Sequence, residues 1–395
     1  MPVDENEFNR FLEKSAEELD ISPSKYKQSV ERYQAVARWL EGGDYGGDIS
    51  LAIYVQGSFR LGTVVRPYRN QKEQDYDIDL VCELSTLKKD TTAKDVKAFV
   101  GDRLKLNETY LGMLDEEGKR CWTLLYSEQD GIGFHLDVLP AAKDGDSSSC
   151  IAITNKTYND YTWRSSNPKG YAEWFTQKNR VAYEHVSLVQ KRSIALNFRD
   201  SYASIEDVPD LLVRTPLQRV VQILKRHRDI RFGSSKESHL APISMIITTL
   251  AAHLYNNEEN VASALTNVVS GLTAHDCLLR GESIQNSGLK EKALITRKPD
   301  GSWYIGNPSN PQENFADRWA DEGHARAAAF FRWVTSLRED FIDSSAKGRD
   351  ELRGRLGAVF GVSSVNRLWP IKPKVTTPTP RKLKIDHAPK PWRKS

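Results

Sequence analysis

Residues 75–84 read Asp75-Tyr76-Asp77-Ile78-Asp79-Leu80-Val81-Cys82-Glu83-Leu84. Successive side chains of a β-strand point to opposite faces. Read as a strand over Tyr76–Leu84, the segment puts Tyr76, Ile78, Leu80, Cys82 and Leu84 on one apolar side. Asp77 and Asp79 then stand side by side on the other. Two carboxylates held ~4 Å apart repel by about 4 kcal/mol at an effective dielectric of ~20. A divalent cation offsets that repulsion, and hard oxygen donors suit Mg²⁺ or Mn²⁺. An acidic alternation on a strand is more often a solvated face, so the pair alone does not establish a site.

Working outward, Ile132–Leu139 has the same alternation. Ile132, Phe134, Leu136 and Val138 form its apolar row, and Gly133, His135 and Asp137 face the other way. If the two strands are neighbours, Asp137 joins Asp77 and Asp79. Three such carboxylates hold two metal ions ~3.5–4 Å apart, one activating a hydroxyl and one neutralising a leaving group. His135 is read as an ordinary hydrogen-bonded histidine and left out of the ligand set. Upstream, Tyr54-Val55-Gln56-Gly57-Ser58-Phe59-Arg60-Leu61-Gly62-Thr63 places Gly-Ser where strand Leu51–Gln56 gives way to a helix. There Gly57 permits close backbone approach, and the Ser58 hydroxyl with the following amides cradles a phosphate. The order strand, Gly-Ser, helix, then Asp77-x-Asp79 on a strand and Asp137 on a later one is far more specific than any part of it.

The remainder of the chain bounds the class. Its 395 residues suggest two domains or one bilobal unit. A hydrophobic share of 39% beside a charged share of 28% is that of a globular protein with ample core material. The net charge of +3 is unevenly spread: Pro370–Ser395 holds eight Lys/Arg against Asp386, leaving the remainder at −4. A bulk basic nucleic-acid binder is excluded, and a nucleotide site has to be local and metal-assisted. Cys82, Cys121, Cys150 and Cys277 contain no CxxC pair, which points to a reducing cytoplasm. The acidic start MPVDENEFNRFLEKSAEELD lacks an apolar h-region and predicts no signal peptide, and the apolar run around Leu240–Leu254 is too short to span a bilayer.

Apolar spacing predicts helices over 5–18, 24–40 and 91–104, with strands at Trp122–Tyr126 and Ile132–Leu139 about a Gln129-Asp130-Gly131 turn and an edge strand at Cys150–Thr154. Trp163–Gly170 reads as the boundary. Beyond it Tyr171–Phe198, Pro216–Phe232, Pro242–Tyr255, Val261–Leu272, His324–Phe341 and Lys347–Leu356 all read as helices. The expected division is therefore α+β for 1–168, mostly helical for 169–368, and a basic, proline-rich, flexible tail for 369–395.

The order Gly57-Ser58, Asp77-x-Asp79, Asp137 resembles the nucleotidyltransferase core of the DNA polymerase β superfamily. QGSFRLGTVVRP, DYDIDLV, HLDVLPA, NPKGYAEWF and TPLQRVVQILKRHRD resemble more narrowly the bacterial cyclic-oligonucleotide synthases, relatives of cyclic GMP-AMP synthase. The likeness spans roughly residues 20–255, and 280–320 matches nothing placed. It implies an α+β, bilobal fold: a mixed sheet with flanking helices and a long N-terminal spine helix, plus a helical second lobe. It implies two Mg²⁺ or Mn²⁺ ions on the catalytic Asp77, Asp79 and Asp137, and a donor triphosphate gripped by Gly57, Ser58, Lys225 and Ser244. Arg226 and Arg228 compete with Lys225 for the phosphate, and Arg60 and Arg66 are further candidates. The implied reaction joins NTPs, ATP or GTP foremost and pyrimidine NTPs as an option, into a cyclic di- or trinucleotide for anti-phage signalling. Its product acts on a separate effector in the cytoplasm, without membrane and without a need for nucleic acid. Linear products, of 2′-5′-oligoadenylate or RNA-tailing type, are the alternative. A non-catalytic nucleotide-binding module is disfavoured, because a decayed site has no need to keep three mutually repelling acids.

Overall fold

The computed structural model describes residues 3–66, 68–69, 72–129, 132–145, 149–282 and 293–371. Two helices open the chain, α1 (Glu5–Glu17) and α2 (Pro23–Glu41). Ser22 caps α2 by accepting from the Lys25 amide at 3.4 Å, and Pro23 fills its first turn, where no amide partner is lost. Then come β1 (Leu51–Gln56), the short α3 (Gly57–Leu61), β2 (Tyr76–Leu87), α4 (Ala93–Lys105), α5 (Glu108–Met113), β3 (Trp122–Gln129), β4 (Ile132–Lys143), β5 (Ile151–Thr157) and β6 (Asp160–Ser166). These strands build one six-stranded mixed sheet in the order β1-β2-β4-β5-β6, with β3 also pairing β4. The β2–β4 pair is parallel and the other pairs are antiparallel.

The alternation in β2 works as its sequence dictates. Tyr76, Ile78, Leu80, Cys82 and Leu84 are all buried, packed with Phe134, Leu136 and Val138 of β4. Val96, Val100 and Leu104 of α4 and Tyr26, Val36 and Leu40 of α2 complete that core. Gly101 lets α4 lie flat on the sheet, because a Cβ there would sit 2.2 Å from the Trp122 ring.

The helical lobe contains α6 (Pro168–Asn197), α7 (Pro216–Phe232), α8 (Ser244–Leu254), α9 (Val261–Thr273), α10 (Asp321–Leu337), α11 (Arg349–Phe360) and α12 (Val362–Leu368), with a π-helix at Arg338–Asp343. The longest helix among the described residues is α6, of 30 residues; the N-terminal α2 has 19. A capping box formed by Thr215 and Gln218 starts α7, with Pro216 in its first turn. No helix of the described residues is long and apolar enough to cross a membrane.

The boundary read at Trp163–Gly170 falls where edge strand β6 gives way to α6: Trp163 pairs with Thr154 inside the sheet, and α6 begins at Pro168. Two details depart from the sequence reading. α1 does not pack with the sheet, since Phe8, Phe11, Leu12 and Ala16 are buried in the core of the helical lobe. Trp369, assigned to the tail, is buried there too, stacked on Phe8 and Phe11 at 6.1 and 5.5 Å. The rest of the tail, from 372 on, and the Asp130-Gly131 turn lie outside the described residues.

Candidate active site

Parallel pairing of β2 and β4 sets Asp79 directly beside Asp137 and Asp77 directly beside His135. On the other flank Gln56, the last residue of β1, pairs with Asp79. The chain therefore turns at Gly57 against the Asp79 carboxylate. Gly57 has φ +63°, and a Cβ there would come within 2.2 Å of Asp79 Oδ2. Only glycine meets both demands without strain. Phe59 fixes α3 from below by stacking on Tyr26 at 4.9 Å.

The helical lobe reaches this turn through one face of α7. Gln218, Gln222 and Lys225, at helical spacing, donate to the carbonyls of Leu61 (2.8 Å), Val64 (3.0 Å) and Thr63 (3.0 Å). That lacing sets the distance between Ser58 and Lys225. Between the lobes lies a chamber of about 420 Å³ lined by Gly57, Ser58, Asp77, Asp79, Asp137, Lys225 and Ser244, all seven residues singled out from the sequence. A second chamber of about 700 Å³ shares Ser58, Asp77, Lys225 and Ser244 with it.

The cations of α7 separate by direction. Lys225 lines both chambers. Arg228 lines the second only; it pairs with Asp229 and donates to Ser244 Oγ at 3.1 Å. Arg226 turns away, lying over the Tyr68 ring at 5.2 Å and donating to the Arg66 carbonyl. Arg66 donates to the Glu18 carbonyl and lines, with Arg226, a separate cavity. The expectation that Arg66 meets phosphate is thus corrected, while Arg60 does line the first chamber.

Electrostatics mark the carboxylates as a strained group. Burial, then the charges of Asp137 and Asp77, push the Asp79 carboxyl up to about 7 against the pull of Lys225. Burial likewise raises Asp137, although Thr123 Oγ1 donates to its Oδ1 at 2.6 Å. Burial and neighbouring Arg228 push the Lys225 ammonium down to about 7. His135 lies 3.2 Å from Asp77 Oδ1 through Nδ1, a hydrogen bond that raises its pKa.

Among the described residues no three His, Cys, Asp or Glu side chains are gathered in a geometry that holds a metal ion. The hydrogen bonds show why: Asp77 is drawn to His135, Asp137 to Thr123, and Asp79 presses on Gly57. The donor set still fits a hard divalent cation. It offers three carboxylates at neighbouring strand positions, one of them pushed up to about 7 by burial first and then by the charges of the other two.

Several lining residues escaped the sequence reading. Thr123 pairs with Asp137 in the β3–β4 register and was findable from strand alternation. Arg120, Asn167, Asn307 and Glu313 were not. Asn307 and Glu313 sit on a two-stranded ladder, Gly306–Asn307 with Asn310–Asn314, inside the stretch that had no match.

Residues 1–179 match a family model described as the Second Messenger Oligonucleotide or Dinucleotide Synthetase domain. A c-di-GMP synthase of Roseivirga ehrenbergii is 29% identical over 359 residues, 89% of this chain and 83% of that protein. The cyclic dinucleotide synthase CdnG of Bradyrhizobium diazoefficiens is 23% identical over 316 residues, 77% of this chain and 68% of that protein. Among solved structures, CdnG of that species in complex with GTP has TM-score 0.67 at 20% identity, covering 91% of this chain and 97% of that one. Escherichia coli MS115-1 CdnC with ATP has TM-score 0.59 at 17% identity, covering 89% and 97%. The last two likenesses concern the fold.

Proposed function

We propose that the chain, whose residues 1–179 match the Second Messenger Oligonucleotide or Dinucleotide Synthetase domain and which is similar to two cyclic dinucleotide synthases, is a bacterial cyclic-oligonucleotide synthase (CD-NTase) that joins NTPs into a cyclic di- or trinucleotide second messenger. The observation that carries this reading is the β2–β4 register, which sets Asp79 beside Asp137 with the Gly57-Ser58 turn against them. The names of its relatives, a c-di-GMP synthase and a cyclic dinucleotide synthase, support it.

In this reading the Gly57-Ser58 turn holds the donor triphosphate, and Lys225 and Ser244 meet its outer phosphates from the helical lobe. The ribose hydroxyl of a second NTP attacks the α-phosphorus; a P–O bond forms, the α–β bridge breaks and pyrophosphate leaves. Asp77, Asp79 and Asp137 would hold two Mg²⁺ or Mn²⁺ ions, which would supply charge to offset the leaving pyrophosphate and acidify the attacking hydroxyl. Thr123 fixes one oxygen of Asp137 and leaves the other for the acceptor side. Closing the lobes excludes water, and the enzyme's contribution is positioning and charge. Turning the linear product over in the same cleft and repeating the step closes the ring. The same reading takes the protein to be cytoplasmic, which its four free cysteines support. It takes the product to act on a separate effector in anti-phage signalling, which the family likeness supports.

The test incubates the protein with α-labelled NTPs and Mg²⁺ or Mn²⁺, then phosphatase. A phosphatase-resistant product whose mass lacks one water per linkage closed is expected. It should disappear in Asp77→Asn/Asp79→Asn. A product bearing a phosphatase-sensitive end under all conditions overturns ring closure, and no NTP consumption overturns the transferase reading.

A further inference from the structure

The first chamber has a wall that the triphosphate grip does not use. Glu313 lines it, held by the ladder at 306–314. Asn307 Nδ2 donates to Glu313 Oε2 at 2.8 Å, and the Ser166 hydroxyl donates to the same carboxylate. Asn307 is itself immobilised: its Oδ1 accepts from the Ser309 amide at 2.8 Å and the Ser309 hydroxyl at 2.9 Å. Ser309 is tied in turn to the start of α6, since Asn167 Nδ2 donates to its carbonyl at 3.0 Å. A carboxylate has about four lone-pair sites, so two donors orient Glu313 without exhausting it. Burial raises the Glu313 pKa, and Asn307, Arg120 (which lines the same chamber) and Ser166 pull against it. Leu139, Ile153 and Met245 give that chamber apolar surface for a flat ring.

Chemistry selects the occupant. A carboxylate accepts only, and it repels phosphate, so Glu313 meets the nucleoside end of a bound NTP. Of the four bases, guanine alone offers two adjacent donors, N1–H and N2–H₂, beside an O6 acceptor that suits a guanidinium. Adenine and cytosine place an acceptor next to their amino donor, and uracil flanks its one N–H with two carbonyls. We propose that Glu313, oriented by Asn307 and assisted by Arg120, makes this cleft select a guanine nucleotide. The proposal rests on the reading of the cleft as an NTP site and specifies its substrate.

The experiment titrates GTP, ITP and ATP, as non-hydrolysable analogues, into the protein with Mg²⁺ by calorimetry. Inosine lacks only the N2 amine. The protein should bind the GTP analogue about 10–100-fold more tightly than the ATP analogue, the range of a hydrogen bond to a charged group. It should bind the ITP analogue with intermediate affinity. Glu313→Gln should erase the GTP-over-ITP difference while leaving the shared ribose and triphosphate contribution. Arg120→Met, at an exposed position, should weaken GTP and ITP alike without changing the melting temperature. Equal affinity of the unmodified protein for GTP and ATP analogues overturns the guanine assignment while the NTP site stands. The same holds if Glu313→Gln weakens all three nucleotides equally, which marks a merely structural role. Binding of none of them overturns the NTP site itself.

Discussion

Asp79 is the cleft carboxylate that burial and its acidic neighbours push up to about 7, and its proton makes the site testable. Its folded pKa of about 7 lies above the ordinary 3.8. The folded state therefore holds this proton more tightly than the unfolded chain, and Asp79 costs stability progressively as pH rises from 4 to 7. Asp79→Asn should raise the melting temperature at pH 8 and leave it unchanged at pH 4. A cation binding here must displace the proton, so Mg²⁺-dependent nucleotide affinity should fall about tenfold per pH unit below 7. Calorimetry at pH 6 in buffers of different ionisation enthalpy should show close to one proton released per site filled. Gly57 gives the complementary test. Gly57→Ala adds a Cβ 2.2 Å from Asp79 Oδ2 at φ +63°. Displacing the carboxylate by even ~1 Å should cost activity about 100-fold, with the circular dichroism spectrum retained.

Between elements, the decisive joint is the α1–α2 turn. Asp20 there accepts from Arg219 Nη1 at 2.7 Å and Gln222 Nε2 at 2.7 Å, and Arg214 Nε lies 3.4 Å away. Although burial alone would raise its pKa, the two guanidinium groups and Gln222 hold the Asp20 carboxyl below its usual value. Its contribution is thus full above pH ~4 and lost as pH falls through the lower folded value. Asp20→Ala should cost about 3–5 kcal/mol in urea unfolding at pH 7, because it strands two buried arginines, and markedly less near pH 2. The elements themselves were mostly legible in the sequence. Period two in β2 and β4 named both the buried row and the carboxylate row. Apolar spacing over 24–40 and Pro216–Phe232 named two of the helices. The edge strand β6 was hidden because half its residues face solvent and read as loop. The ladder at 306–314 was hidden for a different reason: its strands, Gly306–Asn307 and Asn310–Asn314, are short and polar and carry no apolar period.

At the scale of the whole molecule, periodicity within a segment says nothing about which core the segment joins. Phe8 and Phe11 have helical spacing either way, and only the fold shows them packed against Phe360 and Trp369. Trp369 Nε1 also donates to Glu7 at 3.2 Å. Trp369→Ala should therefore cost about 3–5 kcal/mol in thermal or urea denaturation, as for other buried tryptophans, although it lies far along the chain from every cleft residue. Among the seven cleft residues, by contrast, Gly57, Ser58, Asp77, Asp79 and Asp137 were recoverable because each sits in a segment with its own local pattern, whereas Lys225 and Ser244 were named only by the family resemblance.

The clasp between α1 and Trp369 also imposes an order in time. During synthesis the three aspartates leave the ribosome before any of the helices α6 to α12. The lobe that carries Lys225 and Ser244 cannot seal its interior until Trp369 has emerged and found a helix made at the outset. A nascent chain thus holds Asp77, Asp79 and Asp137 before the opposite wall of the cleft, with Lys225 and Ser244, has been closed behind them.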